Sequence, residues 1–122
     1  MQFSRIFARS LIKGVKILVL TETDACCGQM AAAFLRDYST SNEVVSAGCD
    51  PSETIEPVMV TVMKECLIDL SGYVPRDAKT LNVSDFDKVY ECPEMTCPKT
   101  IDAYREMRDY IKNEAYLFFR GL

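Results

Sequence analysis

The sequence predicts a single α/β domain of three layers, in which a short, mostly parallel sheet of about four strands has helices on both faces. Short apolar segments alternate with amphipathic segments of helical length, which is the element order of βαβ units. The first strand, "VKILVL", is continuously apolar, as expected of a parallel strand covered on both sides. With 122 residues, the chain has room for one such core and no second domain.

An amphipathic extension precedes the first strand. Residues 1–14 are predicted to form a short helix. Its apolar side carries Phe3, Ile6, Phe7 and Ile12, and its basic side carries Arg5, Arg9 and Lys13. One such helix is too weak a signal for a stable membrane anchor, so we expect it to pack on the domain or to join two copies in a homodimer.

The next elements follow from apolar spacing and from helix-end residues. Met30, Phe34 and Tyr38 recur every four residues after a short loop, which predicts a helix to about Tyr38. The segment "EVVSAG" predicts a second strand that ends at Gly48. Pro57 suits the first turn of a second helix, and "LSG" closes that helix.

The C-terminal half predicts one clear strand, one long helix and a weak fourth strand. The segment "FDKVYEC" is the third strand, and Pro93 ends its sheet pattern. Thr100 is the expected N-cap of the last helix, which Gly121 ends. The region from Leu81 to Val83 is the only candidate for a fourth strand.

Composition and charge argue against several functions. The net charge is −4, and the basic residues Arg5, Arg9, Lys13 and Lys16 leave the rest of the chain still more acidic, which argues against a nucleic-acid partner. No apolar run is long enough to span a bilayer, and the first residues lack the apolar core of a secretory signal. We therefore expect a cytoplasmic protein without membrane association. Its six cysteines are expected to be reduced thiols or metal ligands before disulfides, with Cys66 a small buried hydrophobe.

The predicted site lies where two strands end. In sheets of this kind, ligands bind beyond the carboxyl ends of the strands, which here means the loop after the first strand and the segment 91–98. Main-chain N–H groups at the start of the first helix would point into this crevice and favour a small anion. The expected ligand-binding residues are Thr21, Glu22, Thr23, Asp24, Ala25, Gly28 and Gln29.

Three motifs in order carry a resemblance to a known family. They are "CCGQMAAAFLR", "SAGCDPSETIEPVMVTVMKECLIDLSG" and "YREMRDYI". Residues 15–122 resemble the low-molecular-weight protein tyrosine phosphatases, and more closely their thioredoxin-coupled arsenate reductase branch. The resemblance implies a loop thiolate as nucleophile, an arginine that clamps the oxyanion and an aspartate as general acid.

The chain departs from this family pattern at each of those parts. The shared "QMA" register places the family's nucleophilic cysteine on Thr21 and its arginine on Cys27. Glu22 and Asp24 would repel a phosphate or an arsenate. The family's Asp-Pro loop is missing, because the chain passes from its last "CP" almost directly into the final helix. We therefore expect no tyrosine phosphatase activity.

Four cysteines at the crevice are the candidate chemical groups: Cys26, Cys27, Cys92 and Cys97. One hypothesis is a protein that binds a ligand or a soft metal ion through these four thiolates, with Glu22 and Asp24 setting the local field. Another is a thiol redox enzyme that resembles the arsenate reductases and takes electrons from thioredoxin. In it, either Cys26 or Cys27 is a nucleophile activated by the helix N-terminus, or Cys92 and Cys97 form the disulfide relay that the resemblance implies. The third is a scaffold or dimerisation module in which the cysteines are incidental.

Overall fold

The computed structural model describes residues 14–93 and 95–122. The predicted N-terminal helix therefore lies almost wholly outside the described residues. Two short 3₁₀ turns, at Ala78–Thr80 and Val83–Asp85, lie between the second helix and the third strand. The strands and α-helices are β1 (Lys16–Thr21), α1 (Cys27–Tyr38), β2 (Glu43–Gly48), α2 (Pro57–Lys64), β3 (Lys88–Glu91) and α3 (Ile101–Arg120).

The predicted α/β class is confirmed, with β1 at the centre of a parallel sheet. The strand order is β2-β1-β3, and Leu18 of β1 pairs with Val45 on one side and Val89 on the other. Because both neighbours run parallel to β1, the carboxyl ends of all three strands meet at one edge of the sheet. The loops that follow β1 and β3 therefore lie side by side.

The predicted fourth strand at Leu81–Val83 is wrong. In the described part of the chain the sheet has three strands, and this region forms two 3₁₀ turns instead. The side chain of Asp77 accepts a hydrogen bond from the N–H of Lys79, and Asn82 does the same for Ser84. Such local bonds from Asp and Asn satisfy the main chain in turns and compete with sheet pairing.

The core covers both faces of β1. Ile17, Leu18 and Val19 are consecutive and fully buried, and successive side chains of a strand point to opposite faces. On the side of Ile17 and Val19, all three described helices join one hydrophobic cluster. Its large members include Met30, Phe34, Met59, Met63 and Ile111. None of the helices in the described residues is long and apolar enough to cross a membrane.

Helix α2 ends with an unusual residue. The N–H of Ile68 donates to the carbonyl of Met63, and that of Leu67 donates to Lys64, which is the Schellman pattern of helix termination. Leu67 occupies the left-handed position of this motif at a φ of 63°, and it is 95% exposed. Glycine is the usual residue there because a Cβ atom is strained in that conformation.

We expect Leu67→Gly to stabilise the protein. The removed left-handed strain outweighs the extra flexibility of glycine in the unfolded chain, and the net gain should be about 0.5–1 kcal/mol. Leu67→Ala is the matched control, because it shortens the side chain but keeps the Cβ atom, so its stability should stay close to wild type. Urea unfolding of the three proteins measures both effects. A glycine variant no more stable than the alanine variant would contradict the strain argument.

Candidate functional site

A cavity of about 460 Å³ opens at the carboxyl ends of β1 and β3. One wall is formed by Thr21, Glu22 and Thr23 of the loop after β1, together with Cys27 at the start of α1. The opposite wall is formed by Cys92, Pro93 and residues 95–97, which follow β3. The crevice thus lies where the sequence predicted it, and three of the four candidate cysteines line it.

Thr21 is held in place by the loop it begins. Its hydroxyl oxygen accepts a hydrogen bond of 3.1 Å from the main-chain N–H of Asp24. Gly28 makes room for its side chain, since a Cβ atom at Gly28 would lie 2.8 Å from both the hydroxyl oxygen and the methyl carbon of Thr21. Predicted as a ligand-binding residue, Gly28 is buried behind Thr21 and does not line the cavity.

Asp24 points into the protein instead of into the crevice, which corrects the predicted role of its charge. The residue is completely buried and adopts a left-handed φ of 53°. Its Oδ2 accepts a hydrogen bond of 2.9 Å from the N–H of Arg76. Burial raises the pKa of Asp24 above its usual value of 3.8, although the Arg76 N–H, the Ser46 side chain and the charges of Arg76 and Arg36 oppose that rise. Its Oδ1 has no partner among the described residues.

Gln29 and Ala25 also serve the loop rather than a ligand. The Gln29 side chain is buried, and its Nε2 donates to the carbonyl of Asp24 at 3.2 Å. The carbonyl of Ala25, itself buried, accepts from the N–H of Glu56 just before α2. Glu22 and Thr23 are therefore the loop side chains that remain at the cavity after Thr21.

Cys26 and Cys97 form a disulfide, contrary to the expectation of reduced thiols. Their Cα atoms are 6.2 Å apart although 71 positions separate them in sequence. The parallel pairing of β1 with β3 explains the proximity, because Cys26 follows one strand and Cys97 the other. The bond also removes two of the four thiolates of the predicted metal site. No group of three or more acidic, cysteine or histidine side chains in the described residues is arranged to hold a metal ion.

Cys27 and Cys92 are free and buried, and both line the cavity. A hydrogen bond from Cys92 lowers the pKa of the Cys27 thiol, and the N–H groups of Gly28, Cys27 and Met95 lower it further against the opposing effect of burial. The pKa of Cys92 is raised by the same hydrogen bond, by burial and by the charge of Cys27. Of the two thiols, Cys27 is therefore the one that gives up its proton more readily, and Cys92 is the one that keeps it.

The two remaining cysteines lie outside this pair. Cys49 is exposed, and it lines a second cavity of about 360 Å³ that reaches Cys92 from the other side. Cys66 is partly buried and lines neither cavity. The contribution of Met95 was missed by sequence reasoning, because it comes from a main-chain N–H and any residue except proline could supply it.

Comparisons with known proteins identify the family of the chain. The sequence model of the low molecular weight phosphotyrosine protein phosphatases matches residues 16–115. The chain belongs to this family. No curated protein sequence matches the chain.

Solved structures of the family share its fold. An arsenate reductase in the phosphate-binding state is 20% identical at a TM-score of 0.80, over 88% of this chain and 98% of that one. The arsenate reductase from Archaeoglobus fulgidus is 18% identical at a TM-score of 0.72, over 84% and 98%. Wzb from Vibrio vulnificus, in complex with benzylphosphonate, is 16% identical at a TM-score of 0.77, over 89% and 99%. At these identities the likeness establishes the fold alone.

We expect Gly48→Ala to disturb the loop of this family member. The added Cβ atom would lie 2.6 Å from the carbonyl oxygen of Glu22 and 3.0 Å from the N–H of Asp24. Main-chain atoms cannot yield as a flexible side chain does, so urea unfolding should show a loss of about 1–3 kcal/mol. In Gly121→Ala, the matched control, the new Cβ atom meets nothing closer than 3.5 Å. Equal stability of the two variants would contradict the close approach of β2 to the loop.

The buried Asp24 carboxyl should make the stability of the protein depend on pH. Because its folded-state pKa is raised above 3.8, the folded protein binds the proton more tightly than the unfolded chain. This group's contribution to stability therefore falls as the pH rises from about the unfolded pKa through the raised folded one. Asp24→Asn keeps an acceptor for the Arg76 N–H without the charge, so its stability relative to wild type should increase across that window.

Asp24→Ala separates the hydrogen bond from the charge. It leaves the Arg76 N–H without its acceptor, so we expect Asp24→Ala to be about 1–3 kcal/mol less stable than Asp24→Asn at every pH, because neither variant carries the titrating carboxyl. Denaturation curves at a series of pH values measure both variants. If Asp24→Asn and wild type kept a constant difference in stability across the series, the buried carboxyl would not be titrating as described.

Proposed function

We propose that this protein is a thiol redox enzyme of the arsenate reductase type, with Cys27 as nucleophile and Cys92 as resolving thiol. The observation that supports it is the pair of free thiols at one cavity, in which Cys27 has a lowered pKa and Cys92 a raised one. A nucleophile needs its thiolate, whereas a resolving thiol can wait protonated until the first bond has formed. The pair supplies both states side by side.

The reaction would proceed in two displacements. The Cys27 thiolate attacks arsenic(V) of arsenate and a water molecule leaves, giving a sulfur–arsenic bond. Cys92 then gives up its proton and attacks the Cys27 sulfur, so that a Cys27–Cys92 disulfide forms and the sulfur–arsenic bond breaks. The electron pair of that bond leaves with arsenic, which is reduced to arsenite. An external dithiol such as thioredoxin would reduce the new disulfide by thiol exchange.

Phosphate-ester hydrolysis is not part of the proposal. The position of the family's nucleophile holds Thr21, whose hydroxyl is engaged with the Asp24 N–H. The described residues that line the cavity include no arginine or lysine, and Glu22 adds a negative charge at its wall. A dianionic phosphate would therefore meet main-chain N–H groups without the cationic clamp that makes such sites strong.

A soft-metal or ligand-binding protein is the second candidate. Cys27, Cys92 and Met95 line one cavity, and sulfur ligands select soft ions such as copper(I) or arsenite. We rank it below the enzyme because the Cys26–Cys97 disulfide must first be reduced to offer four thiolates. A cytoplasmic location also belongs to the proposal. In that compartment the Cys26–Cys97 disulfide would have a catalytic or redox-sensing role, as most cytosolic disulfides do. The homodimer through residues 1–14 and the scaffold role stay predictions.

The enzyme assay is arsenate-dependent oxidation of thioredoxin, coupled to its reductase and NADPH. We expect Cys27→Ser and Cys92→Ser each to reduce turnover to the background rate, because each removes one partner of the disulfide that forms. Cys66→Ser is the matched control and should keep the wild-type rate, since Cys66 lies outside the cavity. Peptide mapping after arsenate treatment should recover a Cys27–Cys92 disulfide.

Two outcomes would count against the enzyme. Turnover that persists in Cys27→Ser would exclude Cys27 as the nucleophile. Wild-type protein that does not oxidise the dithiol in response to arsenate would exclude an arsenate reductase. Native mass spectrometry of the reduced protein, with and without copper(I) and chelator, would then test the soft-metal candidate.

A further inference from the structure

We propose that the Cys26–Cys97 disulfide is a redox switch that controls the nucleophilicity of Cys27 by holding the main-chain N–H of Met95 beside its sulfur. The inference rests on the proposed function, because it concerns the regulation of the same thiol. It gives the second cysteine pair a role distinct from the disulfide relay predicted from the sequence. Cys26 and Cys97 become positioning residues, while Cys27 and Cys92 carry the chemistry.

The disulfide connects the two walls of the cavity. Cys26 is the N-cap of α1 and immediately precedes Cys27, and its side chain is buried. Cys97 lies on the opposite wall, two residues after Met95. The bond thus fixes the segment after β3 to the start of the helix that presents the nucleophile.

This connection matters because the segment has little other support. Residues 92–98, except the undescribed position 94, have no regular secondary structure. Cys92 is anchored at one end by its N–H bond of 3.1 Å to the carbonyl of Leu20. At the other end, the disulfide at Cys97 is the covalent restraint. Met95 lies between the two anchors, where its N–H contributes to the stabilisation of the Cys27 thiolate.

Opening the disulfide would remove that restraint and leave Cys27 with fewer donors. The N–H groups of Cys27 and Gly28 belong to α1 and stay in place, and Cys92 stays anchored to β1. The contribution of Met95 is the one that depends on the position of the loop. Cys27 is therefore the stronger thiolate when the disulfide is closed.

Reduction has a chemically reasonable path. Cys97 lines the cavity whereas Cys26 is buried, so a thiolate of an external dithiol would attack the Cys97 sulfur. The sulfur–sulfur bond breaks, and its electron pair leaves on Cys26, where the helix N-terminus stabilises the departing thiolate before it takes a proton. The second thiol of the reductant then attacks the mixed disulfide, which releases Cys97 as a thiol and oxidises the reductant to its own disulfide.

The test compares the alkylation of Cys27 with the disulfide present and absent. The reference protein is Cys49→Ser/Cys66→Ser, and the test protein adds Cys26→Ser and Cys97→Ser together. Iodoacetamide labelling over a series of pH values, read at each cysteine by peptide mass spectrometry, gives the midpoint and rate for Cys27. We expect the midpoint to move to higher pH in the test protein and the rate at pH 7 to fall roughly three- to tenfold, as for the loss of one hydrogen bond.

A second measurement avoids substitutions in the switch. The reference protein is labelled before and after reduction with a phosphine and desalting, and the same shift of the Cys27 midpoint is expected. Identical midpoints in both comparisons would overturn the switch. Complete loss of arsenate turnover in a folded Cys26→Ser/Cys97→Ser protein would also overturn it, because those cysteines would then be part of the relay. If Cys27 labels no faster than Cys92 in any state, the proposed function fails instead.

Discussion

The hydrogen bond between Cys27 and Cys92 depends on the parallel pairing of β1 with β3. The N–H of Cys92 donates to the carbonyl of Leu20 and so extends the sheet by one position beyond β3. Cys92 is thereby fixed beside the end of β1, and the loop at 22–26 brings the chain back so that α1 begins at Cys27. Two cysteines that are 65 positions apart meet because the sheet aligns the ends of its strands. Their proximity is a consequence of topology, and the hydrogen bond between them lowers the pKa of Cys27 and raises that of Cys92.

The loop at 22–26 is held in place by contacts on the side that faces away from the cavity. Asp24 reaches the Arg76 main chain, Gln29 reaches the Asp24 carbonyl, and Gly48 of β2 lies against the main chain of the loop. These contacts fix the main chain of the loop on the side away from the cavity and leave its other side free to face the cavity. Side chains at the cavity can then be exchanged without loss of the loop, provided that those beneath it are kept. Thr21, for which Gly28 leaves room, is the position where the family resemblance predicts such an exchange.

The sequence predicted the fold and the position of the crevice well, because both depend on patterns within single segments. The apolar run of β1 and the start of α1 indicated a parallel sheet with a crevice at its edge, and the crevice is there. The orientation of Asp24 and Gln29 could not be predicted, since it depends on Arg76 and on the packing beneath the loop. The Cys26–Cys97 pairing could not be predicted either, because spacing alone does not determine which cysteines pair.

Under the proposed function, a substrate would be bound through its reacting atom more than through its oxygens. An oxyanion clamp needs a fixed cation, and the described residues that line the cavity include none. The main-chain N–H groups of Cys27 and Gly28 instead lower the pKa of the Cys27 thiol. A donor that holds a thiolate is no longer free to hold a phosphate oxygen, so nucleophile activation and anion binding compete for the same groups. Under the proposed function, affinity would then come from bonding of the Cys27 sulfur to a thiophilic centre such as arsenic.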